Sequence, residues 1–384
     1  MKTAGLALMV ALLISHVPAH AQPAAEPGLE TYRIGDLPLE SGEVIRDFSI
    51  AYMTAGTLNA AKSNAVLMVT AIGGNHHRID YLIGPGKGLD TDHLFVIRTN
   101  AIGNGITTSP STSTAQHGTA FPHFTLRDMV NAEHRLVTEC LNVQHLVAVT
   151  GISMGGNASL QWAVSFPDFM DAVIPVVPMA QASRQDAFIW ELARQAIMLD
   201  PKWRDGAYPA DDPPRRGVGV GINIQNAFSF SPEGFAELFR DRAAVDRFVA
   251  TTSEQLGTAT DARDWVYRTW AIVDHDIAAA PPFNGDLRAT ARSIRARLLL
   301  IPNCFDQLHT AGAGGVMEVA ANAPDAKVAD IDDTLGHSGN NSPRGVTVIA
   351  AEVRDLLQRI ADGRPGFNGP RFPRHWSRAD RCPG

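Results

Sequence analysis

Residues 145–156 read His145-Leu-Val-Ala-Val-Thr-Gly-Ile-Ser-Met-Gly-Gly156. An apolar, β-type run at 146–150 leads into Gly-x-Ser-x-Gly, and a helical stretch at 157–166 follows until Pro167 stops it. A serine on so tight a turn between strand and helix is held in a strained backbone conformation, its hydroxyl raised above the carboxyl end of the strand. Side chains at the flanking positions would clash, which is why Gly151 and Gly155 stand there. The amides that follow, starting with Met154, open the helix, where a free N–H and the helix dipole can stabilise an oxyanion. The bare pattern recurs by chance. The strand before it and the helix after it make it specific and single out Ser153 as a nucleophile.

Around this turn β-type and helical runs alternate. Strand character is read at 48–58, 65–72, 94–100, 146–150 and 172–177, with a helix at 126–140. The alternation predicts an α/β fold, a mostly parallel central sheet with helices on both faces. Across 181–290 the strand signal fades. Helical patches at 187–199, 234–252 and 261–277, separated by a Pro/Gly/Asp-rich stretch at 205–221, read as an inserted helical cap. Strand character returns at 297–302 and 327–331, and a last helix spans 346–361. The expected organisation is a first core part at 22–180, the cap at 181–290, a second core part at 291–362 and a poorly ordered Pro/Arg-rich tail at 363–384.

Residues 1–21 carry Lys2, an apolar run at 4–14 and then Ala19-His20-Ala21, the pattern of a signal peptide with its cleavage site. The expected location is therefore periplasmic or secreted. No later segment approaches the about twenty uninterrupted apolar residues of a membrane span. A net charge of −7, spread without acidic or basic blocks, points to neither nucleic acid nor an anionic membrane. Cys140, Cys304 and Cys382 are too few and too far apart for a disulfide framework. A homodimer is compatible with the chain, and the expected partner is a small-molecule ester, amide or lactone.

A serine hydroxyl is a feeble nucleophile at neutral pH, so Ser153 needs a histidine base, and the histidine needs a carboxylate to set its tautomer. Two late loops supply them. Phe305-Asp306-Gln307 follows the run Leu298-Leu-Leu-Ile-Pro-Asn-Cys304, and Leu335-Gly336-His337-Ser338 comes after Val328-Ala-Asp-Ile-Asp-Asp333. The order Ser, Asp, His, each after a strand, is that of an α/β-hydrolase, with Asp306 as orienting acid and His337 as base. Asp332 and Asp333 are rival acids, but they precede the histidine by too little sequence and read as solvated turn residues. The second oxyanion donor is sought in Thr70-Ala-Ile-Gly-Gly-Asn75, where glycines let the backbone approach substrate. The amide of Ile72 is the candidate.

Longer stretches resemble one branch of this superfamily. Asn64-Ala-Val-Leu67, Leu82-Ile-Gly-Pro-Gly-Lys-Gly-Leu-Asp-Thr-Asp92, Phe95-Val-Ile97, Thr125-Leu-Arg-Asp-Met-Val130, the turn at Ser153 and Arg194-Gln-Ala-Ile-Met-Leu-Asp-Pro201 are similar to homoserine O-acetyltransferases, and so is the chain between them over 32–361. The resemblance implies a serine acyl-enzyme on Ser153, Asp306 and His337 at the triad positions, and Ile72 where the family usually has an oxyanion-hole leucine. Two departures stand out. Family members that use homoserine have an acidic residue after the catalytic histidine, to hold the acceptor's ammonium; here it is Ser338. They carry an arginine and a tyrosine in the cap for its carboxylate, where Ile222-Asn-Ile-Gln-Asn-Ala-Phe-Ser-Phe230 places Asn223 or Ile224 and Phe230. Each lost charge-assisted contact costs about 1.5–3 kcal/mol, so a zwitterionic acceptor would bind poorly.

The adjacent His76 and His77 are read as lining the pocket mouth, because no third metal ligand lies nearby in sequence. No metal and no cofactor is expected. Gly84-Pro-Gly-Lys-Gly88 lacks the first glycine and the closing Ser or Thr of a phosphate loop. The expected activity is an exported serine hydrolase acting on a carboxylic ester. An O-acyltransferase using an alcohol acceptor is the alternative, since both share the chemistry up to the acyl-enzyme. A catalytically inactive binding protein on the same fold is the third reading.

Overall fold

The computed structural model describes residues 26–373, so the expected signal peptide at 1–21 lies outside the described residues. Eight strands form one sheet in the order β1-β2-β4-β3-β5-β6-β7-β8. They are β1 (Leu29–Pro38), β2 (Val44–Ala55), β3 (Ala65–Val69), β4 (Phe95–Thr99), β5 (Leu146–Ile152), β6 (Met170–Val176), β7 (Arg297–Leu300) and β8 (Ala326–Val328). β2 is paired antiparallel with both β1 and β4, and the other pairings are parallel. Every residue of β3 is buried, as a strand covered on both faces requires. β1 is the edge strand and is mostly exposed or half-buried, and its mixed polarity kept it from being read as a strand in the sequence.

Helices α1 (Leu126–Arg135) and α2 (Met154–Ser165) pack on the sheet. Thr125 caps the first with a reciprocal Asp128 bond, and the last turn of the expected 126–140 helix loosens into a π turn at Leu136–Cys140. Between β6 and β7 come α3 (Arg184–Met198), α4 (Arg215–Ser229), α5 (Pro232–Leu238), α6 (Arg242–Ala259), α7 (Ala262–Val273) and α8 (Leu287–Ser293). Two expectations for this segment fail. Part of the stretch 205–221, read as a loop, is helical, because Gly217 and Gly221 lie against the backbone of 193–197 and Gly219 against Ser253, where any side chain would hold the helices apart. The single helix expected at 234–252 is two, split where Asp241 begins a new one and accepts from the Ala244 amide.

Helices α9 (Val316–Asn322) and α10 (Pro343–Ala361) complete the fold. The tail is also corrected as far as it is described. Arg371 pairs with Lys327 beside β8, its amide donating to the Ala326 carbonyl at 2.9 Å, and Phe367 is buried. Residues 374–384 lie outside the described residues. Among the described residues no helix is long and apolar enough to cross a membrane.

Candidate active site

Ser153 sits where β5 ends and α2 begins, with φ 59° and ψ −121°. A non-glycine residue in that region is strained by about 1–3 kcal/mol and persists only where its surroundings enforce it. Here they do. The Ser153 amide donates to the Val176 carbonyl at 2.9 Å, and the Ser153 carbonyl accepts from Asn157 at 2.9 Å, the first bond of the helix. A Cβ on Gly151 would stand 2.5 Å from the Gly155 carbonyl and 2.7 Å from the Val69 oxygen, and one on Gly155 would collide with that same Val69 oxygen. The tight crossing of β3, β5 and α2 therefore admits only glycine at both places.

The sheet brings the two late loops to this turn. Asp306 follows β7, the neighbour of β6, and His337 follows β8. The Ser153 hydroxyl donates to His337 Nε2 at 2.8 Å, and His337 Nδ1–H donates to Asp306 Oδ2 at 2.6 Å. All three side chains are buried. The other carboxylate oxygen, Asp306 Oδ1, accepts from the amides of Leu308 at 2.9 Å and His309 at 2.8 Å, so the acid is fixed from its own loop. The rival acids take other places. Asp332 forms an exposed ion pair with Arg344, while Asp333 accepts from the Ser342 hydroxyl and the Leu335 amide and so shapes the histidine loop instead of standing in solvent.

On the opposite side of Ser153, the loop after β3 is closed by a bond from Gly74 to the Ala71 carbonyl and by the Thr70 hydroxyl on the Asn75 carbonyl. Ile72 is buried there, and its carbonyl accepts from Nη1 of Arg268 on α7. The Met154 amide, first in its helix, has no intrahelical acceptor, as a candidate oxyanion donor requires.

Several residues that support this arrangement were not singled out in the sequence. Asn303 donates to the carbonyls of Gly336 at 2.6 Å and Asp333 at 2.7 Å. Arg78 reaches from the β3 side to Asn341 at 2.8 Å and Asn340 at 2.9 Å, and Asn340 donates in turn to the His337 carbonyl. Ser231, at the start of α5, donates to the Thr334 carbonyl and so anchors the histidine loop to the cap. His309 packs edge-on to His337 with ring centroids 4.7 Å apart, and burial lowers its pKa, which favours the neutral ring there. Its place three residues after Asp306 was the signal available.

The expected substrate-binding residues divide. Ser338 is buried directly after His337. Asn223 spends its amide on Ser253 and the Val249 carbonyl, and Phe230 packs edge-on against Phe235 and Phe248, so both are engaged within the cap. His76 and His77 are bonded to Glu26, Asn100 and Asp80.

Comparison with known proteins agrees with the fold. Residues 64–271 match the family described as the alpha/beta hydrolase fold. A homoserine O-acetyltransferase of Nitrobacter hamburgensis is 34% identical over 361 residues, 84% of this chain and 90% of that one. Among solved structures, the acetyl esterase MekB superposes with a TM-score of 0.81 at 26% identity, covering 88% of this chain and 99% of that one. An acetylester hydrolase from Corynebacterium glutamicum does so with a TM-score of 0.80 at 27% identity, covering 86% and 96%.

Proposed function

This chain belongs to the alpha/beta hydrolase fold family, on its homoserine O-acetyltransferase-like branch, and from that premise we propose that it is an exported serine hydrolase cleaving a carboxylic ester through an acyl-enzyme. The observation that carries the proposal is one buried imidazole set between Asp306 at 2.6 Å and Ser153 at 2.8 Å. His337 takes the Ser153 proton as Oγ attacks the ester carbonyl. The amides of Met154 and Ile72 hold the oxyanion, and removing one such donor costs about 10²–10³ in kcat. His337 then returns the proton to the leaving alcohol. In the second half water adds to the acyl-enzyme with His337 again as base, the acyl–Oγ bond breaks to release the acid as His337 returns the proton to Ser153 Oγ, and Asp306 steadies the imidazolium in both halves.

Water as the final acceptor is supported by the neutral Ser338 after the histidine and by Asn223 and Phe230 being engaged inside the cap, which leaves an amino acid acceptor without the charged partners it would need. The export pattern at 1–21 would also remove the enzyme from cytoplasmic acetyl-CoA. The names of the two esterase structures suggest acetyl as the acyl group to try first. The second reading, an O-acyltransferase, is favoured by the 34% identity to a homoserine O-acetyltransferase over most of both chains. The test incubates the protein with a small activated acetate ester in water and, separately, with acetyl-CoA and L-homoserine. Efficient hydrolysis without O-acetylhomoserine is expected. Efficient O-acetylhomoserine formation with hydrolysis only a slow leak overturns the hydrolase reading.

A further inference from the structure

The loop after β3 carries, just beyond Ile72, a cluster that the proposed chemistry does not use. Glu26 enters from the start of the described chain, fifty residues before His76. Its Oε2 lies 3.1 Å from His76 Nε2 and its Oε1 2.5 Å from His77 Nε2, and the three donor atoms fall within 4.8 Å of one another. Adjacent histidines ordinarily diverge. Here the rings tilt by 50° with centroids 4.3 Å apart, so both Nε2 atoms converge on one carboxylate.

The far side of each ring is held. Asp80 Oδ2 stands 2.6 Å from His77 Nδ1, and Arg98 anchors the other oxygen of Asp80 at 2.8 Å. Asn100 faces His76 Nδ1 with Oδ1 at 3.2 Å and Nδ2 at 3.0 Å. The Asp80 carboxylate accepting His77 Nδ1–H leaves Nε2 of that ring as a lone-pair donor and fixes its direction, the arrangement found behind metal-binding histidines. His76 offers Nε2 in the same way in the tautomer whose Nδ1–H donates to Asn100 Oδ1. Two imidazoles and one carboxylate suit a borderline-soft divalent ion, and donor atoms about 3.4 Å apart would complete a tetrahedron at about 2.1 Å from zinc, with water in the fourth position. His76 is buried, whereas the side chains of His77 and Glu26 are 35% and 31% exposed, which leaves an entry path.

We propose that Glu26, His76 and His77 form a Zn²⁺ site that clamps the segment before β1 to the loop after β3. The expected cleavage after Ala21 leaves Glu26 in the processed chain. Its test reads metal binding and needs no turnover. Untagged protein, stripped with a chelator and dialysed, is titrated calorimetrically with ZnCl₂ and, in parallel, with Co²⁺ followed by visible d–d absorption. One ion per chain is expected, with a rise in Tm on Zn²⁺ addition. Glu26→Gln and His77→Gln, both at partly exposed positions, should abolish stoichiometric binding and the Co²⁺ band. Asp80→Asn should weaken affinity about ten- to a hundredfold. Cys304→Ser should leave binding unchanged, because the other donor cluster, Cys304 with Asp330 and Asp332, would then not be the site. Failure of Zn²⁺ to bind, or binding that survives both Glu26→Gln and His77→Gln, overturns the proposal and reduces the cluster to a shared hydrogen-bonded glutamate.

Discussion

Asp306→Asn tests the arrangement around Ser153 most directly, because the structure allows its cost to be worked out. The asparagine has two orientations. In one, its oxygen keeps the amide bonds of Leu308 and His309, now at 2.9 and 2.8 Å, and its NH₂ must face His337 Nδ1. That stabilises the tautomer with the proton on Nε2, which can no longer accept from Ser153. In the other, the oxygen serves Nδ1–H but the NH₂ points at two backbone donors, and two hydrogen bonds to a charged acceptor are lost at about 1.5–3 kcal/mol each. The productive orientation is thus disfavoured by about 3–6 kcal/mol. At 1.36 kcal/mol per decade, kcat should fall about 10²- to 10⁴-fold. The assay is hydrolysis of an activated acetate ester at pH 7, with thermal melts to show that the variant is folded. Asp332→Asn is the control. Its exposed pair with Arg344 contributes at most about 1 kcal/mol and leaves the tautomer alone. A folded Asp306→Asn enzyme within tenfold of wild type would refute the tautomer argument, the more so if Asp333→Asn were inactive.

Three further outcomes are expected. Ser153→Ala should abolish both turnover and covalent labelling by an organophosphonate; persistent labelling would move the nucleophile elsewhere. Gly155→Ala forces a Cβ onto the Val69 carbonyl oxygen, overpacking that should lower Tm by at least about 3 °C, and an unchanged melt would show that the crossing has slack. Glu133 is buried under Thr99 and Trp162, and burial raises its pKa from 4.5 to about 7. The folded chain therefore holds a proton that the unfolded chain releases, so this group's contribution is full below pH 4.5 and declines by about 3 kcal/mol as pH rises through 7. Glu133→Gln should flatten that part of the stability–pH profile, as followed by urea unfolding; an identical slope in both proteins would contradict it.

What could be read from the sequence is what is encoded locally. Gly151, Ser153 and Gly155 define a turn within five residues, and buried parallel strands announce themselves as continuous apolar runs such as Ala65–Val69. The order of Ser153, Asp306 and His337 follows from strand order, so chain position alone could nominate the three residues. Where packing overrides local preference, the reading failed. The glycines at 217, 219 and 221 suggested a loop, yet they sit in a helix because its neighbours approach closer than a Cβ permits. The cap break at Asp241 fell within what read as one helical run, and only the Ala244 amide shows it to be a cap. Other contacts across long sequence separations were decided by the tertiary structure. Arg268 on the Ile72 carbonyl, Arg78 on the loop of His337, and Glu26 between His76 and His77 join segments that no periodicity or spacing connects. Such pairings arise only when the sheet order sets which loops share an edge.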